Sequence, residues 1–90
     1  MLVVSYDIEN DKLRNKFAKM LVKQGAIRLQ YSVYEVVNTK RVMDNIVAKI
    51  QAFSKNFSPA DSVVIFDVSA DKLIKYGNAI HRDTDIVFFD

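Results

Sequence analysis

Asp7 closes the run Val3-Val4-Ser5-Tyr6-Asp7, and Lys12, Lys16, Lys19 and Lys23 follow it at intervals of four, three and four. A carboxylate at a strand end can hold a divalent cation through its oxygens. Ammonium groups at that spacing share one side of a helix, where they can meet successive phosphates. Together they point to a nucleic-acid site. Arg14 and Arg28 add guanidinium forks suited to phosphate oxygens. From Lys12 to Tyr34 there are six cations and no acid, whereas Ser58 to Asp90 carries six Asp against Lys72, Lys75 and Arg82. One part of the chain attracts polyanions and the other repels them, which the net charge of +2 conceals.

These groups need elements to position them. Leu2 to Asp7 reads as a strand, and Asn10 or Asp11 as the cap of a helix that runs to about Gln24 and stops at Gly25. Leu13, Phe17, Met20 and Leu21 fall on its core side and the lysines on a neighbouring side. Ile27 to Val37 reads as two strands reversing near Gln30 to Ser32. Asn38 or Thr39 caps a second helix carrying Val42, Ile46, Ile50, Phe53 and Phe57, and Ser58-Pro59 ends it. Val63 to Val68 is a further strand, Ala70 to Tyr76 a short helix, and Thr84 to Phe89 a last β-prone segment. The order is the split βαβ arrangement of an α+β, ferredoxin-like βαββαβ domain, with two helices on one face of a four-stranded antiparallel sheet. Residues 1–68 form that core and residues 69–90 a C-terminal segment of the same domain. The uncovered sheet face calls for a second copy, and Thr84 to Phe89 is free to join the partner's sheet edge. The expectation is a homodimer with exchanged C-terminal strands.

Ninety residues, half of them hydrophobic, allow one compact domain that buries roughly 60% of its unfolded surface. Six Phe and four Tyr against two Gly and one Pro describe an element-rich chain, not a disordered one. Without cysteine there is neither a disulfide framework nor a thiolate metal site. The chain starts directly with Leu2-Val3-Val4, unlike a signal peptide, and no apolar run is long enough for a bilayer. The reading is a soluble, cytoplasmic protein.

Several linked motifs then carry a resemblance. Val3-Val4-Ser5-Tyr6-Asp7-Ile8, Asp11-Lys12-Leu13-Arg14-Asn15-Lys16, Gly25 with Arg28, and Gln30-Tyr31-Ser32-Val33-Tyr34-Glu35 together resemble the CRISPR-associated protein 2 family, over about the first 68 residues. The resemblance implies a ferredoxin-like homodimer that bridges the CRISPR integrase and holds a pre-spacer DNA duplex during spacer acquisition. It also implies a metal-dependent endonuclease acting on single-stranded RNA or duplex DNA. The family's metal-binding carboxylate falls on Asp7, its neighbouring aromatic on Tyr6, and basic positions on Arg14, Lys16 and Arg28. Lys16 and Tyr34 stand where the family often has Arg and Phe.

One Asp per chain is half of a magnesium site, since the ion wants about six oxygens and usually keeps waters on one or two carboxylates. Two Asp7 side chains meeting across a two-fold axis would share one Mg²⁺, which could activate a water against a phosphodiester. Without the ion the two carboxylates would repel. Asp7 is thus the candidate catalytic and metal residue. Lys12, Arg14, Lys16, Lys19, Lys23 and Arg28 are the candidate nucleic-acid contacts, with Tyr6 and Tyr34 supporting. No general base is evident. His81 lies in an exposed connection, and Ser32 and Glu35 read as ladder or surface-pair residues.

Each residue also has a plainer reading. An Asp after a strand commonly forms a turn, lysines on an amphipathic helix commonly face solvent, and tyrosines in strands commonly pack. A toxin-type ribonuclease acting without an integrase, and a non-catalytic regulatory ferredoxin-like domain, are the alternatives. The acidic C-terminal residues Asp67, Asp71, Asp83, Asp85 and Asp90 are a candidate contact to a basic integrase surface.

Overall fold

Leu2–Asp7 forms β1, Asp11–Lys23 α1, Ile27–Gln30 β2, Val33–Val36 β3, Lys40–Ser54 α2 and Ser62–Asp67 β4, in a computed structural model that describes residues 1–79. The strands make one antiparallel sheet in the order β2-β3-β1-β4, so β1 is hydrogen-bonded to β3 on one side and β4 on the other. The architecture is the expected α+β, ferredoxin-like one.

Alternation along β1 decides which face the helices cover. Leu2, Val4 and Tyr6 are buried, and they join Phe17 and Leu21 of α1, Ile46 and Ile50 of α2, and Tyr34 and Val36 of β3 in a single core. Phe17 is its centre, meeting the Tyr6 ring edge-on at 4.8 Å and the Phe53 ring at 5.4 Å. The helix ends follow the caps. Asn10 accepts from the Leu13 amide at 2.9 Å, Thr39 accepts from the Val42 amide at 3.3 Å, and Gly25 leaves α1 at a φ of 90° that a side chain would resist. No helix among the described residues is long and apolar enough to cross a membrane.

Two expected boundaries move. α2 ends at Ser54, three residues before Phe57, because the Asn56 and Phe57 amides turn back to Phe53 and Ser54 in a tighter coil. Phe57 still packs on the core. The short helix expected over Ala70 to Tyr76 is only the 3₁₀ turn Ala70–Lys72, and Leu73 is already extended. Contacts with the sheet account for the difference. The segment after β4 lies against the face that the helices leave open, where Leu73, Ile74, Tyr76 and Ala79 line a cleft with Val3, Leu29 and Val33. Lys75 Nζ donates to Glu35 Oε1 at 2.9 Å there. A helix would take Lys75 away from that buried carboxylate. Among the described residues this segment lies over Val3, Leu29 and Val33, and on β4 Val64 and Phe66 remain 50% and 51% exposed. The expected strand Thr84 to Phe89, and His81, Arg82, Asp83, Asp85 and Asp90 with it, lie outside the described residues.

Candidate nucleic-acid interface

Asp7 ends β1 opposite Ser62 of β4 and is exposed. Because Tyr6 points to the helices, strand alternation gives Asp7 to the open face, with Val3 and Ser5. Among the described residues no three His, Cys, Asp or Glu side chains gather closely enough to enclose a metal ion. Asp7 is an exposed carboxylate that belongs to no such group.

The chain leaving Asp7 is tied down from both sides. Arg14 donates from Nη1 to the Ile8 carbonyl at 3.0 Å and the Glu9 carbonyl at 3.4 Å, and from Nη2 to Asp11. The hydrogen bond that Arg14 donates to Asp11 leads in raising the Arg14 pKa. Opposite, Asp61 accepts the Glu9 amide and the Ser58 amide, each at 2.9 Å, which holds its carboxyl below the usual range. Arg14 thus braces the β1–α1 turn.

Tyr6 and Tyr34 are core residues, 6% and 4% exposed, with rings stacked at 6.1 Å. Burial pushes the Tyr6 phenol well up, and Tyr34 adds to the shift. Their support for Asp7 is to fix the strand end on which it sits. Arg28 is half-buried beside them, its Nε without a hydrogen-bond partner among the described residues, and its guanidinium lies 5.2 Å from the centroid of the Tyr31 ring.

The lysines form a second surface. Lys16, Lys19 and Lys23, with Met20 and Gln24, line a cleft of about 330 Å³ that Lys49 of α2 completes. Lys12 continues the stripe one turn earlier. A rise of about 1.5 Å per residue carries Lys23 roughly 16 Å along α1 from Lys12. The stripe consequently runs away from Asp7, and the two features expected as one site share only the beginning of α1. Lys49 escaped sequence reasoning because it belongs to another helix. Its place next to Ile50, on the flank of the buried stripe of α2, is the signal that could have drawn attention to it.

A family model described as CRISPR associated protein Cas2 matches residues 1–76. The chain belongs to the Cas2 family. It is similar to the "CRISPR-associated endoribonuclease Cas2 1" of Methanospirillum hungatei, with 37% identity over 68 residues, which are 74% of this chain and 68% of that protein. It is 44% identical over 50 residues to the "CRISPR-associated endoribonuclease Cas2 4" of Rhodospirillum rubrum, covering 56% of this chain and 40% of the relative. The crystal structure of the hypothetical protein TT1823 from Thermus thermophilus superposes with a TM-score of 0.62 at 27% identity, over 77% of this chain and 80% of that one. The Cas2 match includes β1 with Asp7, the whole of α1 and Lys49, so both surfaces lie inside the family's domain.

Proposed function

We propose that this Cas2-family chain acts as a homodimer in CRISPR spacer acquisition, holding nucleic acid and bridging the CRISPR integrase, with endonuclease activity centred on Asp7. The observation that carries the reading is the position of Asp7: a carboxylate exposed at the end of a central strand, on the face that α1 and α2 leave open. Val64 and Phe66 on the same face are exposed apolar side chains suited to a copy of the same sheet. Two open faces meeting would bring two Asp7 carboxylates together, with one Mg²⁺ between them. When bound, that ion lowers the pKa of a coordinated water and offsets charge on a phosphodiester. The chain's own residues do the rest. Tyr6 and Tyr34 fix the strand end, Arg14 and Asp61 hold the turn beyond it, and Lys12, Lys16, Lys19, Lys23 and Lys49 neutralise a phosphate backbone without reading its sequence.

The names of the relatives favour an endoribonuclease. A purely structural, DNA-bridging subunit is the second reading, favoured because no three His, Cys, Asp or Glu side chains among the described residues gather closely enough to hold a metal ion. One experiment separates them. The protein is incubated with single-stranded RNA and with duplex DNA, in Mg²⁺ and in chelator, as wild type and as Asp7→Asn, with dimer content matched by sedimentation. Cleavage that needs the metal and falls by at least about 100-fold in the variant establishes the shared-ion nuclease. Binding without cleavage leaves the bridging subunit, and a monomer that binds neither nucleic acid removes both readings.

A further inference from the structure

Three tyrosines stand near the end of β1, and the fold treats them differently. Tyr6 and Tyr34 are inside, whereas Tyr31 is 68% exposed at the tip of the two-residue reversal between β2 and β3. Its backbone is not adrift. The Tyr6 amide donates to the Ser32 carbonyl at 3.1 Å, which extends the β1–β3 register past Ser5 and Val33 and lays the Tyr31–Ser32 turn alongside Tyr6 and Asp7. Its ring is not adrift either, since the Arg28 guanidinium lies over it, 5.2 Å from the ring centroid.

An apolar ring this exposed gains nothing for the core. It is an aromatic surface held by Arg28 at the strand end that carries Asp7. A nucleobase has a π-face for such a ring, and a neighbouring phosphate has the Arg28 guanidinium. Bases inside a duplex are already stacked on each other, so only an unpaired nucleotide can use the ring. We propose that Tyr31 is a stacking platform for an unpaired nucleobase, with Arg28 beside it to take the flanking phosphate, so that a single-stranded nucleic acid is anchored next to Asp7. The inference rests on the nucleic-acid reading above and adds the residue that anchors the nucleobase.

The test uses single-stranded RNA carrying 2-aminopurine and, in parallel, a fluorescent DNA duplex, both in chelator so that cleavage does not intervene. Wild type, Tyr31→Ala and Tyr31→Phe are titrated, and matching thermal melts confirm their folding. Expected are quenching of 2-aminopurine by wild type and Tyr31→Phe, and loss of that quenching in Tyr31→Ala. Single-strand affinity in Tyr31→Ala should fall by about 5- to 100-fold, with duplex affinity unchanged. Tyr31→Ala binding single strands as wild type does would overturn the platform while leaving the wider reading intact. Equal losses on single strands and duplex would also overturn it, since the ring would then only be steadying Arg28. Wild type binding neither nucleic acid removes the inference together with the reading beneath it.

Discussion

Lys75 and Glu35, forty residues apart in the chain, form an ion pair of 2.9 Å across the open face of the sheet, with the Glu35 side chain 9% exposed and that of Lys75 26%. A carboxylate so far from water depends on its partner. Lys75→Met is therefore expected to lower stability by about 1–3 kcal/mol in urea unfolding. Adding Glu35→Gln should recover most of the loss, because the charge left unpaired is what costs. A double variant no better than the single one would mean that the loss does not come from the unpaired charge.

Lys49 closes the groove that Lys16, Lys19 and Lys23 open. If a phosphate backbone lies there, Lys49→Ala removes one counterion-releasing contact. The slope of log affinity for duplex DNA against log salt concentration should become shallower by about 0.9. Sequence preference should not change, since phosphate contacts carry none. An unchanged slope would place the backbone elsewhere.

Asp61 makes the fold sensitive to acid. Its carboxyl is held below the ordinary value by the Glu9 amide first and the Ser58 amide next. Its contribution is thus complete above the unfolded value of about 3.9 and is lost as pH falls through its lower folded value. Asp61→Asn, which has one acceptor oxygen where two are used, should melt a few degrees below wild type at neutral pH. The gap between the two should close in acid, in calorimetric scans taken across that range.

Most of the fold was legible because local signals agreed with one another. The alternation of Leu2, Val4 and Tyr6, the Asn10 and Thr39 caps, Gly25, and the helical spacing of Val42, Ile46 and Ile50 each led to the element that the structure contains. What escaped was tertiary. Lys49 joins α1's lysines only after two helices pack. Arg14 looked like a free cation until the Ile8 and Glu9 carbonyls came within its reach. Ala70 to Tyr76 had the composition of a helix, but Lys75 is drawn out toward Glu35. Tyr31 and Tyr34 are equivalent as letters, and only the position of the hairpin turn leaves the first outside and carries the second into the core.

The position of β1 between β3 and β4 has a consequence for how the chain is made. Its two hydrogen-bonding partners are Val33–Val36 and Ser62–Asp67, both synthesised after it. Until the first emerges, Leu2–Asp7 has no sheet to join, and until the second does, one of its edges stays bare while the ribosome works. The β2–β3 hairpin, with its short loop, can form in the interval and receive β1. Completion waits for Asp67, so a nascent chain interrupted before that residue carries an unprotected strand of Leu, Val and Tyr, the kind of segment that folding chaperones shield.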